Sequence, residues 1–143
     1  MKKILLITLA GLLFSAVTVM AQQRTTIADN ASISADHIKT ESIDDNSVLE
    51  FKGSVQVQVD DDILTLSDGS KYHPDRKVIE TAFARSIEPL SGASISCSGD
   101  QVQVSMPNGT LILADQLCSG TTRYTCSAGN LMREVNSPSC QVP

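Results

Sequence analysis

Residues 53–68, GSVQVQVDDDILTLSD, carry the clearest pattern in the chain. Val55, Val57 and Val59 alternate with Ser54, Gln56 and Gln58, the two-residue period of a strand with one apolar and one wet face. Asp60, Asp61 and Asp62 interrupt the run as a turn, and Leu64 and Leu66 alternate with Thr65 and Ser67 on the return. The stretch predicts one β-hairpin. The pattern recurs in residues 101–115, QVQVSMPNGTLILAD, which align without a gap onto residues 54–68. Val55 falls on Val102, Val57 on Val104, Leu64 on Leu111, Leu66 on Leu113 and Asp68 on Asp115. Asn108-Gly109 in the second turn is a strong hairpin signal. A hairpin repeated in one short chain predicts a molecule built by stacking similar β units.

The remaining segments add strands and turns. Residues 22–30 are polar and read as a loose leader, ahead of a domain spanning residues 31–143. Residues 31–39, ASISADHIK, predict a strand kinked near Asp36. Asp44, Asp45 and Asn46 form a turn, and residues 48–51 form a short strand leading into Gly53, a natural bulge or bend. Residues 68–74 read as a turn segment. Residues 77–84 fit a helix face or a strand, and the strand is preferred because its neighbours are strands. Residues 89–92 break the chain. Residues 93–97, ASISC, echo ASISA at 31–35, and residues 121–126 suit one more strand. The fold class expected is all-β, built from repeated hairpins with closely spaced turns.

Met1 begins a stretch with the form of a secretory signal peptide. Lys2 and Lys3 open it, an apolar run follows, and Val19-Met20-Ala21 offers small residues for cleavage after Ala21. Without that peptide, 9 basic residues face 16 acidic ones, a balance that argues against nucleic acid, which rewards basic patches. The absence of tryptophan and the 3% aromatic content argue against a surface built on stacking. Four cysteines, Cys97, Cys118, Cys126 and Cys140, in an exported chain imply two disulfides with three possible pairings. A fold-back at Asn108-Gly109 favours Cys97 with Cys118, leaving Cys126 with Cys140. No CxxC pair supports zinc.

Candidate chemistry is sparse. Asp60, Asp61 and Asp62 lack the spaced ligands that calcium requires and read as a solvated turn. Asp36, Asp68 and Asp115 sit at equivalent strand ends, where carboxylates hydrogen-bond turns. His37 and His73 are the only histidines, and no GxSxG elbow or Gly-rich phosphate loop accompanies them. No enzymatic activity or cofactor is expected. The aliphatic residues Val55, Val57, Leu64, Leu66, Val102, Val104, Leu111 and Leu113, joined by Ile33, Ile38, Val59 and Met106, predict a common interior. That interior is either a sandwich core or an apolar groove.

The order Ile33-x-Ala35-Asp36, Val48-x-x-Phe51-x-Gly53-x-Val55-x-Val57, Leu64-x-Leu66-x-Asp68 and Tyr72 resembles the repeat of the organic-solvent-tolerance A-like (OstA-like) family of periplasmic lipopolysaccharide-transport proteins. Residues 99–115 repeat it, with Ala114-Asp115, and the resemblance spans roughly residues 33–115. Single elements such as GxVxV occur in many β proteins, so the order and recurrence carry the resemblance. It implies an open β-jellyroll whose aliphatic residues contact the acyl chains of lipopolysaccharide or another acylated lipid. It also implies a periplasmic location and partners joined strand edge to strand edge, either further copies or other jellyroll transport proteins. The eight aliphatic residues named first above are then the candidate groove. The alternative expectation is a closed-core secreted structural or protein-interaction domain with no lipid ligand.

Overall fold

Alternation becomes strand throughout the computed structural model, which describes residues 22–141. The expected signal peptide, residues 1–21, lies outside the described residues. Thirteen strands form one continuous hydrogen-bonded sheet folded into an open, all-β jellyroll. Strands β2 (Ala31–Ala35) and β3 (His37–Ile43) flank the expected kink at Asp36, and β4 (Asn46–Lys52) returns beside β3 through a turn at Asp44 and Asp45. The central hairpin is β5 (Val55–Val59) and β6 (Asp62–Leu66), and the second is β10 (Gln101–Ser105) and β11 (Leu111–Ser119). The ambiguous stretch at 77–84 is strand, within β8 (Val78–Ser86). β9 (Ser94–Ser98) and β12 (Thr122–Ser127) fall where the pattern places them.

Three elements differ from expectation. Residues Gln23–Ala28 form an edge strand, β1, antiparallel to β2, where the polar composition suggested a loose leader. Its one isoleucine, Ile27, packs against the core, and that anchor together with the β2 ladder orders the segment. β7 (Ser70–His73) replaces the expected turn segment. Only Ser70 and Tyr72 turn inward, too short an alternation to stand out. β13 (Asn130–Glu134) is an exposed edge strand whose sequence carries no alternation.

The sheet folds into two leaves because β8 and β11, the long parallel pair, belong to both. In the first leaf the order is β3, β4, β7, the start of β8, the start of β11, β10, β9. In the second it is β1, β2, β5, β6, the end of β8, the end of β11, β12, β13. Register shows the exchange: Val78, Ile79 and Glu80 face β7, whereas Ala84 and Arg85 face β6.

The fold line between the leaves is where β2 passes to β3, β4 to β5 and β6 to β7. Gly53 crosses it at φ +88°, a region in which a Cβ is strained. Its N–H donates to Asp68 Oδ1 at 2.8 Å, and the Ser54 N–H donates to Asp36 Oδ2 at 3.1 Å. Asp36 and Asp68 therefore hold the crossing from both sides. One crossing along, the Ser70 hydroxyl donates to Ser67 O (2.6 Å) or to Thr81 Oγ1 (2.8 Å), and Ser67 Oγ accepts from the Ala82 and Phe83 N–H groups. This cluster satisfies backbone groups that lose their ladder partners where β8 changes neighbours.

Candidate functional site

The apolar core between the leaves is the main hydrophobic cluster among the described residues. It is built from alternate residues of most of the strands, with β13 contributing none. Val55, Val57, Leu64, Leu66, Val102 and Val104, six of the eight expected groove residues, line it and are at most 4% exposed. Ile33, Val59 and Met106 join them, and Ile38 lies half-buried at the margin. The largest enclosed ring is Phe51.

Leu111 and Leu113 do not line this space. The two hairpins differ by one position. Val59 pairs with Asp62 across a two-residue turn, so Val55 faces Leu66 and Val57 faces Leu64. In the second hairpin Ser105 pairs with Leu111 around a longer loop, in which the Met106 N–H donates to Thr110 O and Asn108 Oδ1 accepts the Thr110 N–H. Val104 thus faces Ile112 and Val102 faces Ala114. A one-residue slip moves every side chain of a strand to the other face. Ile112 and Ala114 are fully buried, and Leu111 and Leu113 point to the outer side of the first leaf.

The favoured disulfide pairing is also corrected. Cys97 bonds Cys126, and Cys118 bonds Cys140. The Asn108-Gly109 turn joins β10 to β11, while Cys97 lies on β9, one strand further out, opposite inward-facing Val102. β11 has by then bent into the second leaf, and Cys118 pairs in register with Arg85 on the outer face. Cys97 instead reaches across the interior to β12. Cys118 holds the C-terminal 3-10 helix, Pro138–Cys140, against the outside, where Arg85 Nη2 donates to Ser139 O at 3.0 Å.

Four boundaries enclose the interior. The fold line closes one with chain crossings. Opposite it, the β8–β9 connection and the β10–β11 loop cover the mouth. Leu90 packs on the core while its N–H donates to Ser119 Oγ at 2.9 Å, and Asn108 Nδ2 donates to Asp29 O at 3.2 Å. The C-terminal margin, between β9 and β12, is closed by Cys97–Cys126. The two adjoining turns also meet there: the Gly129 N–H donates to Gly99 O at 3.0 Å and the Ala128 N–H to Asp100 Oδ1 at 2.8 Å. The N-terminal margin, between β1 and β3, has no covalent link. The Ile38 N–H donates to Gln23 Oε1 at 2.7 Å and the Tyr72 hydroxyl to Ile27 O at 3.3 Å.

Electrostatics stay outside. Tyr72 is a buried ionisable side chain directed inward, and burial pushes its phenol above the ordinary 10.0. His73 pairs with Glu80 on the outer face of the first leaf, and His37 is exposed on β3. Lys39, Glu50, Lys71 and Glu80 lie opposite one another in register, a ladder of alternating charge. Asp36 and Asp68 hydrogen-bond turns, as expected, and Asp115 Oδ1 accepts from Gln101 Nε2 at 3.4 Å. Asp60 and Asp61 border a polar surface depression of about 630 Å³ with Arg24, Thr26 and Gln58. No group of three or more His, Cys, Asp or Glu side chains is placed to hold a metal among the described residues.

The boundaries were the least legible part of the site. Gln23, Ile27 and Tyr124 lie in segments of weak periodicity, and only the cysteines signalled that a margin is stapled. Neither a family model nor a curated protein or solved structure matches the chain.

Proposed function

We propose that the protein is an exported lipid-binding module that holds an acyl chain of lipopolysaccharide or a similar lipid between the leaves of its jellyroll. The observation that carries this reading is the interior itself. It is a slab of Val, Ile, Leu, Met and Ala between two leaves that part company along a line of turns, with one non-covalent margin. A hydrocarbon chain is the ligand such walls accept without stranding a polar group. The sequence resemblance to the lipopolysaccharide-transport repeat points the same way. Two disulfides are compatible with an oxidising, exported environment, and the periplasm is the compartment proposed. Free strand edges at β1 and β13 support docking of a second jellyroll by strand addition. Leu131, Met132 and Val135, at or just beyond β13, are 42–62% exposed.

A second reading follows from a specific observation. Val57, Leu64, Val102 and Val104 are 0% exposed, as in a closed core. On that reading the protein is a structural or interaction domain whose working surfaces are its strand edges. Native mass spectrometry of the disulfide-intact protein with added lipid A separates the two, combined with hydrogen exchange of β5 and β10. The lipid reading expects a bound mass and altered exchange in both strands. A clean unliganded mass at every lipid ratio moves the function to the edges.

A further inference from the structure

The two margins of the interior are built differently, and this has a directional consequence. On the first leaf, Ile38 of β3 and Ile95 of β9 are counterparts: each is the half-buried, inward-facing residue of an edge strand, opposite a fully buried Phe51 or Val104. At the Ile38 margin, the leaf opposite contributes Ile27 and the Gln23 side chain, and two hydrogen bonds span the gap. At the Ile95 margin, the Cys97–Cys126 bond crosses the interior two residues away, Tyr124 packs on the core from β12, and the turns at Gly99 and Gly129 are hydrogen-bonded together. Opening the first requires breaking two hydrogen bonds and unpacking Ile27 and Ile38. Opening the second requires a covalent change.

We infer that the interior is blind-ended, so that a hydrocarbon chain enters and leaves only across the β1/β3 margin and stops at the Cys97–Cys126 bond. This rests on the lipid-binding reading above. Its consequence is a carrier or a terminal acceptor rather than a conduit. A chain cannot be passed on through the β9/β12 side while the disulfide is intact. The ligand class is a lipid with an unbranched acyl chain whose polar end stays at the margin, near Gln23, whose side chain spans it. A free fatty acid and an acylated glycolipid share that chemistry.

The test uses the oxidised full-length domain with stearate carrying a nitroxide either beside its carboxylate or near its methyl end. Paramagnetic broadening of amide signals reports the chain's direction. The carboxylate-side label is expected to broaden Ile27 and Ile38, and the methyl-side label Ile95 and Cys97. The opposite polarity overturns the inference. In parallel, Ile38→Glu is expected to slow uptake by about tenfold or more, a barrier increase of about 1.4 kcal/mol, while Ile95→Glu, at the closed end where the methyl terminus lies, is expected to weaken affinity without slowing entry to that extent. In the Ile38→Glu background, Cys97→Ser with Cys126→Ser is expected to restore uptake through the far side. Each variant's amide spectrum establishes that it folds, and Ile38→Thr with Ile95→Thr replaces the charged pair if either does not. Uptake blocked by the Ile95 substitution and not by the Ile38 substitution refutes one-ended entry while leaving lipid binding intact. If neither stearate nor lipid A binds the wild-type protein, the lipid reading and this inference fall together.

Discussion

Gly53→Ala is the sharpest probe of the line along which the two leaves fold. Gly53 has φ +88°, where an L residue is disfavoured by about 1–2 kcal/mol. A Cβ there falls 2.1 Å from Asp36 Oδ2 and 2.7 Å from Asp36 Cβ, so the whole Asp36 side chain must move, not only its tip. Moving it breaks the Ser54 N–H···Oδ2 hydrogen bond, which at the surface is worth about 1 kcal/mol. The expected loss is roughly 2–4 kcal/mol, a large share of a small domain's stability. Gly69→Ala supplies the control. Gly69 has nearly the same φ, +87°, but a Cβ there meets nothing within 4 Å, so only the conformational cost of about 1–2 kcal/mol applies. With no tryptophan in the chain, urea unfolding is followed by circular dichroism in the strand band. Gly53→Ala should lose at least about 1 kcal/mol more than Gly69→Ala, and Asp36→Ala combined with Gly53→Ala should cost less than the two single changes added. Equal losses at the two glycines, or strict additivity at the first, would refute the claim that Asp36 and Gly53 form one packed joint.

Three further outcomes are expected. Ile112→Ala should destabilise by about 2–5 kcal/mol and Leu113→Ala by much less, because only Ile112 faces the interior; the reverse order in urea unfolding would restore the ungapped hairpin alignment. Non-reducing peptide mapping should recover Cys97 linked to Cys126 and Cys118 linked to Cys140, and Cys97→Ser with Cys126→Ser should cost about 2–4 kcal/mol in the same assay; a Cys97–Cys118 peptide would overturn the topology of β9 and β11. Burial raises the Tyr72 pKa above its unfolded value of 10.0, so the folded state holds the phenolic proton more tightly than the unfolded chain. Stability from this source is complete below pH 10.0 and declines as pH rises through the raised value, and Tyr72→Phe should flatten that alkaline decline in a pH series of thermal melts.

Much of the interior was legible because strand periodicity is a local signal. Each of Val55, Val57, Leu64, Leu66, Val102 and Val104 is identified by its neighbours at two-residue spacing, and the fold buries all six. What escaped was decided by geometry beyond the window. The loop around Asn108-Gly109 accommodates Met106 as a buried residue, and that lengthening turns Leu111 and Leu113 outward. The cysteine partners depend on β11 bending from one leaf to the other, which residue spacing does not encode. β7 holds four residues and its inward pair is Ser70 and Tyr72, so it lacks the aliphatic alternation by which the other strands declare themselves.

The same reasoning explains why function was harder to read than fold. A sandwich core and a lipid-holding interior have identical alternation, since both place one aliphatic face inward. They differ at the margins, where a core must be sealed and a binding space must have an entrance. Margins are made of edge strands, and here these are β1, β3, β9 and β13, each polar or exposed over much of its length. Sealing then rests on a few side chains. Cys97 and Cys126 join edge strand β9 to β12, one strand in from β13, covalently, whereas Gln23 and Tyr72 hold the other margin with hydrogen bonds worth about 1 kcal/mol each. A difference of that size predicts that the β1/β3 margin opens before the β9/β12 margin under thermal motion. Hydrogen exchange should accordingly be faster at the Ile38 amide, whose N–H depends on the Gln23 side chain, than at the ladder-bonded amides between β9 and β10 and between β11 and β12.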